Sequence, residues 1–167
     1  MLIIVCGLPG SGKSSLSKDL AKRFSAVHLN SDIIRKELFP KPSYSEEEKR
    51  AVYAEMAKRA GELLAKGSNV IADATFSRKE YRETMDEVAG QTGAKVFIIK
   101  CILHEGETKK RLEKRKQAGK SPSDADYDVY VKLKETFEPL EGGYLEVDYM
   151  RPKKEVLAKV KEFIGEN

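Results

Sequence analysis

The sequence predicts a three-layer α/β fold, a parallel sheet with helices on both faces. Three observations point to it. Short apolar runs alternate with stretches of helical spacing along the whole chain, and such alternation builds parallel sheets through helical crossovers. The first apolar run, Leu2-Ile3-Ile4-Val5, leads into Gly7-Leu8-Pro9-Gly10-Ser11-Gly12-Lys13-Ser14, a complete G-x-x-x-x-G-K-S phosphate loop. The 167 residues, 40% of them hydrophobic, suit one domain over 1–167 with one core.

Each element follows from its own pattern. Leu2–Val5 is a buried strand. Lys13–Phe24 is a helix, with Leu16, Leu20 and Phe24 on one face. Ala26–Leu29 is a short strand, and Ser31–Leu38 a short helix stopped by Pro40 and Pro42. Ser45 and Glu48 make a capping box that opens a helix to about Lys66. Val52, Met56, Ala60 and Leu63 line its inner face, and Gly67 ends it. Asn69–Ala72 is the next strand. Ser77 and Glu80 predict a second capping box, with Tyr81, Met85 and Val88 inward. Lys95–Leu103 is a long strand, Glu107–Gln117 a basic helix, Ala118–Ser123 a loop and Asp126–Phe137 a helix. Leu145–Val147 is a last strand, and Pro152 opens a helix through Val156, Val160 and Phe163. In such a sheet, ligands sit at the carboxyl ends of the strands.

The loop has strand before it and helix after it, the context its chemistry needs. Its glycines let the backbone curl, and successive N–H groups form an anion nest at the positive end of a helix. Gly7 through Ser15 are the candidate nucleotide site. Lys13 would reach the outer phosphates, and the Ser14 hydroxyl would ligate Mg²⁺.

Three further segments fall near that loop. Ser31-Asp32-Ile33-Ile34-Arg35 places an acid and an arginine three apart on one helix face. A kinase uses such a pair: the carboxylate takes the proton of an attacking hydroxyl, and the guanidinium holds an anionic group of the acceptor. The same pattern fits a plain helix cap at Asp32 with Arg35 solvated. Val70-Ile71-Ala72-Asp73-Ala74-Thr75 puts an acid at a strand end, where it can hold Mg²⁺ or orient other groups; Thr75 is a weaker candidate. Lys109 to Lys116 is a basic run with Arg111 and Arg115 on one face. Over about 105–123 it suits a helical lid that closes on a nucleotide, although charge runs are commonly solvated faces.

Composition narrows the classes. Charged residues reach 35%, and the net charge is +4, mild for a nucleic-acid binder. Cys6 and Cys101 lack metal spacing and suit buried thiols in a reducing compartment. The amino-terminal apolar run is too short for a signal peptide, and no stretch approaches the ~20 apolar residues of a membrane span. A cytoplasmic location without membrane or obligate protein partner is expected. No N-K-x-D or L-S-G-G-Q motif occurs, which argues against a GTPase switch or a transporter ATPase.

With these pieces in this order, residues 1 to about 140 resemble the small P-loop kinases. That group includes polynucleotide 5′-hydroxyl kinases, gluconate kinases and zeta-toxin-like phosphotransferases. The matching segments are G-L-P-G-S-G-K-S, S-D-I-I-R, I-A-D-A-T and R-L-E-K-R. The resemblance implies a P-loop kinase fold with five parallel strands, ATP and Mg²⁺ as cofactors, and Lys13 and Ser14 on the phosphates and metal. It implies Asp32 as the acid that activates the acceptor, Arg35 as a substrate contact, Asp73 beside the metal, and Arg111 and Arg115 as lid arginines. Arg111 would sandwich the adenine against Pro152. The expected activity is transfer of the ATP γ-phosphate to a hydroxyl, on a nucleic-acid 5′ end or on a small metabolite such as a sugar acid, nucleoside or antibiotic. A non-kinase ATP-binding regulator is the alternative; a pure nucleic-acid-binding module leaves the loop unexplained.

Overall fold

The protein is described here by a computed structural model covering residues 1–119 and 122–165. Five strands form its sheet: β1 (Leu2–Cys6), β2 (Val27–Asn30), β3 (Val70–Asp73), β4 (Val96–Ile102) and β5 (Tyr144–Asp148). All are parallel, in the order β2-β3-β1-β4-β5. The helices are α1 (Lys13–Arg23), α2 (Ser31–Leu38), α3 (Glu46–Ala65), α4 (Lys79–Gln91), α5 (Glu105–Ala118), α6 (Tyr127–Thr136) and α7 (Lys153–Ile164).

The central strand explains its own sequence. All five residues of β1 are fully buried, because helices cover both faces, so the strand is continuously apolar. Successive side chains point to opposite faces. Leu2, Ile4 and Cys6 meet Val52, Met56 and Ala60 of α3 and Tyr81 and Met85 of α4. Ile3 and Val5 meet Leu16 and Leu20 of α1 and Val156 and Val160 of α7.

Most elements stand where the spacing puts them, and the differences have causes. Strands β2 and β3 each run one residue further than their apolar runs, to Asn30 and Asp73. These polar ends are register partners, and the Asn30 amide donates to Asp73 at 2.7 Å. The second capping box does not form. Arg78 is the N-cap of α4 and makes no side-chain cap bond. The Glu138 carboxylate, far along the chain, accepts from Lys79 N–H instead, and Glu80 turns to Arg78. The first box forms by half. Ser45 Oγ accepts from Glu48 N–H at 3.2 Å, but the Glu48 carboxylate reaches elsewhere. On α3 and α4 the burial is centred one residue later than expected: Leu64 and Ala89 are buried, whereas Leu63 and Val88 are partly so. Helix α5 begins at Glu105 rather than Glu107. Of the loop expected over 118–123, residues 120 and 121 lie outside the described residues.

Leu20 has no exposure and is packed between α1 and the sheet. Leu20→Ala is expected to lower stability by about 2–5 kcal/mol, measured as a shift in the urea midpoint with the m-value unchanged.

Candidate active site at the carboxyl ends of the strands

Parallel register brings the site together. Val5 pairs with Asp73, and Asp73 with Asn30, so β3 and β2 end level and β1 runs one residue further. The phosphate loop leaves β1 at that edge. Gly7 has φ 132, and a Cβ there would stand 2.3 Å from the Cys101 carbonyl oxygen of β4. Only glycine allows this approach. Gly12, in the left-handed conformation at φ 99, is the N-cap of α1. The first turn of α1 has no acidic residue and no side-chain cap, so its positive end is open to an anion. Lys13 folds back over the loop, its Nζ donating to the Leu8 carbonyl at 2.9 Å. Ser11 Oγ is buried without a partner among the described residues. A recess of about 460 Å³ opens beside it, lined by Leu8, His104, Tyr130 and Phe137 among others.

Asp73 is 1% exposed. His28 Nε2 lies 3.0 Å and Asn30 Nδ2 2.7 Å from one oxygen, Oδ2. Burial alone would raise the carboxyl's pKa. The His28 bond, the Lys13 charge and the Asn30 bond outweigh that and hold it below its usual range. Asn30 Nδ2 also lies 3.4 Å from Ser14 Oγ. Ser14 and Asp73, from separate elements, are therefore joined through one side chain. Asn30 Oδ1 in turn accepts from Asp32 and Ile33 N–H, each at 3.1 Å, and caps α2. Neither His28 nor Asn30 stood out in the sequence. Two signals were there: asparagine is a favoured N-cap, and residues two apart on a strand share a face.

Asp32 follows the cap and is half-buried. Its carboxylate accepts no hydrogen bond among the described residues, and its charge is felt by Tyr44 and Arg115. Arg35 sits differently. It is 8% exposed, ion-paired to Glu48 at 2.6 Å and 5.1 Å from the Tyr44 ring centre. The other Glu48 oxygen accepts from Ser43 N–H at 2.7 Å, Ser43 Oγ at 2.8 Å and Tyr44 N–H at 3.3 Å. Burial works to raise the Glu48 pKa, but Arg35 and Ser43 outweigh it and bring it down to about 2.

On α5, Arg111 and Arg115 share the half-buried face, while Lys109, Lys110, Lys114 and Lys116 are exposed. Arg111 reaches the Gly10 carbonyl at 3.4 Å and the Met150 sulfur. Arg115 donates to the Ala125 carbonyl. Burial lowers the Arg115 pKa, and Asp32 and Asp124 oppose that. Pro152 is the exposed N-cap of α7; the structure brings Met150, two residues earlier, to Arg111. Thr75 contributes its carbonyl, which accepts from Gly7 N–H at 3.3 Å.

A family model described as an AAA domain matches residues 2–140. The chain belongs to the AAA domain family. Solved structures share the architecture of this AAA domain. Kti12 of Chaetomium thermophilum, in complex with ADP-AlF3, aligns with a TM-score of 0.76 at 17% identity, over 98% of this chain and 99% of that one. A gluconokinase from Sinorhizobium meliloti aligns with a TM-score of 0.71 at 20% identity, over 98% and 90%. At these identities the likeness establishes the fold, an α/β P-loop kinase fold with an all-parallel five-stranded sheet. Among curated sequences, an uncharacterized Mycobacterium tuberculosis protein is 29% identical over 112 residues, 60% of this AAA domain and 22% of the relative. The chain thus spans about a fifth of that relative's length. No helix among the described residues is long and apolar enough to cross a membrane.

The depressed Glu48 pKa has a signed consequence. A carboxyl lower in the folded than in the unfolded state stabilises the fold above its unfolded pKa, and that stability is lost as pH falls through the folded value. The window here runs from 4.5 down to about 2. Melting temperatures across it should fall less steeply in Glu48→Gln than in the parent; parallel slopes would count against the pair as an acid-sensitive contact.

Proposed function

We propose that this protein transfers the γ-phosphate of ATP to a hydroxyl of an acceptor molecule. The observation that carries the reading is the side-by-side placement of Asp32 and the Ser14–Asp73 pair, joined through Asn30 at the mouth of the phosphate loop. A nucleotide switch has no need of an acid beside that pair.

The loop amides from Gly7 to Ser15 would hold the β- and γ-phosphates, and Lys13 would exchange the Leu8 carbonyl for them. Ser14 Oγ and the Asp73 carboxylate offer hard oxygen donors suited to Mg²⁺. No group of three or more His, Cys, Asp or Glu stands ready for a metal among the described residues, which fits an ion completed by phosphate oxygens and water. Bound there, Mg²⁺ would neutralise phosphate charge. Asp32 would orient the acceptor hydroxyl and take its proton as the oxygen attacks phosphorus and the bond to the ADP oxygen breaks. Arg115 and Arg111 would balance charge developing on the transferred group, with Arg111 and the Met150–Pro152 segment about the nucleobase.

For the acceptor, a small molecule is the better-supported class. Arg35, the cation expected to hold an acceptor anion, already has its charge matched by Glu48. The exposed α5 lysines support the second reading, a nucleic-acid 5′-hydroxyl end.

Labelled γ-phosphate from ATP should appear on one member of a pool of sugars, sugar acids, nucleosides and antibiotics, or on 5′-hydroxyl oligomers under the second reading. Lys13→Ala should abolish transfer. Asp32→Asn should cut turnover by about a hundredfold or more while ATP affinity holds. Tight ATP binding without transfer to either pool would move the reading to a regulator, and a fully active Asp32→Asn would remove Asp32 from the chemistry.

A further inference from the structure

We propose that Asn30 is a positioning residue that fixes the metal-holding pair, Ser14 and Asp73, against the acceptor-activating Asp32. The proposal rests on the phosphotransfer reading above and adds to it the side chain that sets its geometry.

The amide is used at both ends. Its oxygen accepts from Asp32 and Ile33 N–H at 3.1 Å each. Its nitrogen lies 2.7 Å from Asp73 Oδ2 and 3.4 Å from Ser14 Oγ. The orientation follows from the partners: the two N–H groups need an acceptor, and the carboxylate needs a donor. A helix cap alone requires only an acceptor, and serine, threonine or aspartate would serve. An amide accepts on one atom and donates from another, so it serves Asp32 N–H and Asp73 at separate points; a serine or threonine hydroxyl has a single oxygen for both tasks, and aspartate would set a second negative charge against Asp73. Position 30 therefore meets two demands, one of which has nothing to do with starting a helix.

The environment makes the link stiff. Asn30 is 5% exposed, β2 holds its backbone in register with Asp73, and its extended φ of −117° is unstrained. Asp32 N–H hangs on the same amide that touches both candidate metal ligands. A shift of about 1 Å between reacting groups can cost a hundredfold in rate, so a shared anchor fixes the distance that matters. Ser14 Oγ, accepting at most one bond from Asn30, keeps a lone pair for a cation.

The test uses Asn30→Ser, which keeps a capping oxygen and loses the amide nitrogen that reaches Asp73 and Ser14, beside Asn30→Ala, which loses both. ATP affinity is measured by calorimetry in EDTA and again with Mg²⁺, together with melting temperature and single-substrate ATP turnover. The expected Asn30→Ser protein melts close to the parent and binds metal-free ATP as the parent does. Its affinity gain on adding Mg²⁺ falls about fivefold or more, and kcat falls about tenfold with KM for ATP little changed. Asn30→Ala should add a fall in melting temperature. If Asn30→Ser does not fold, Asn30→Thr, also a cap and suited to the strand end, is read in the same way. A cap-retaining variant with the parent's Mg²⁺ gain and kcat overturns the proposal and leaves Asn30 a helix cap. A parent protein that binds no ATP, or gains nothing from Mg²⁺, overturns the phosphotransfer reading itself.

Discussion

A single hydrogen bond, from Asn30 to Asp73, decides where everything else at the active edge can lie. It joins β2 to β3 at the point where both strands end. Above it stand the phosphate loop and Ser14; beside it starts α2. The bond exists because the sheet is parallel and in one register. A slip of one residue would turn Asn30 and Asp73 to opposite faces. The apolar core under the sheet forbids that slip, since Leu29, Ile71 and Ala72 would change faces too. Burial of hydrocarbon thus fixes the placement of two polar side chains that hydrophobicity alone would never bury.

The α2–α3 side is organised by a different residue, Glu48. One of its oxygens pairs with Arg35 and the other gathers the Ser43–Tyr44 turn. That turn holds Tyr44 at φ 59, a conformation bulky side chains avoid and one that persists only when neighbours impose it. The Tyr44 hydroxyl and Lys36 both meet Asp124, on the connection between α5 and α6. The connection therefore touches the α2–α3 side through charged and phenolic groups near the surface. Such contacts are individually weak.

Local chemistry was legible in the sequence, and tertiary chemistry was not. The phosphate loop could be read because its glycines, lysine and serine act within eight consecutive residues. Asp32 and Asp73 could be placed because strand ends follow from apolar runs. Asn30 was lost because a polar residue after an apolar run looks like the end of a strand, and its partner lies far along the chain. Glu48 fitted a capping box, yet its carboxylate serves Arg35, across a gap that local spacing cannot bridge. Glu138 takes over the start of α4 for the same reason. Arg111 and Arg115 share the half-buried face of their helix, while the meeting of Arg111 with Met150 depends on turn geometry between β5 and α7, which is invisible to periodicity.

The central position of β1 also shapes how the chain comes to fold. This strand is the first of the five to leave the ribosome, and it is apolar on both sides. Its neighbours β3 and β4 begin only at Val70 and Val96. At roughly 5–20 residues per second, the run Leu2–Cys6 waits for several seconds before either edge can pair. Contacts so distant along the chain slow folding, and an unpaired apolar strand is a template for association. The residues that later carry the phosphate loop are therefore the ones most in need of shelter while the protein is being made.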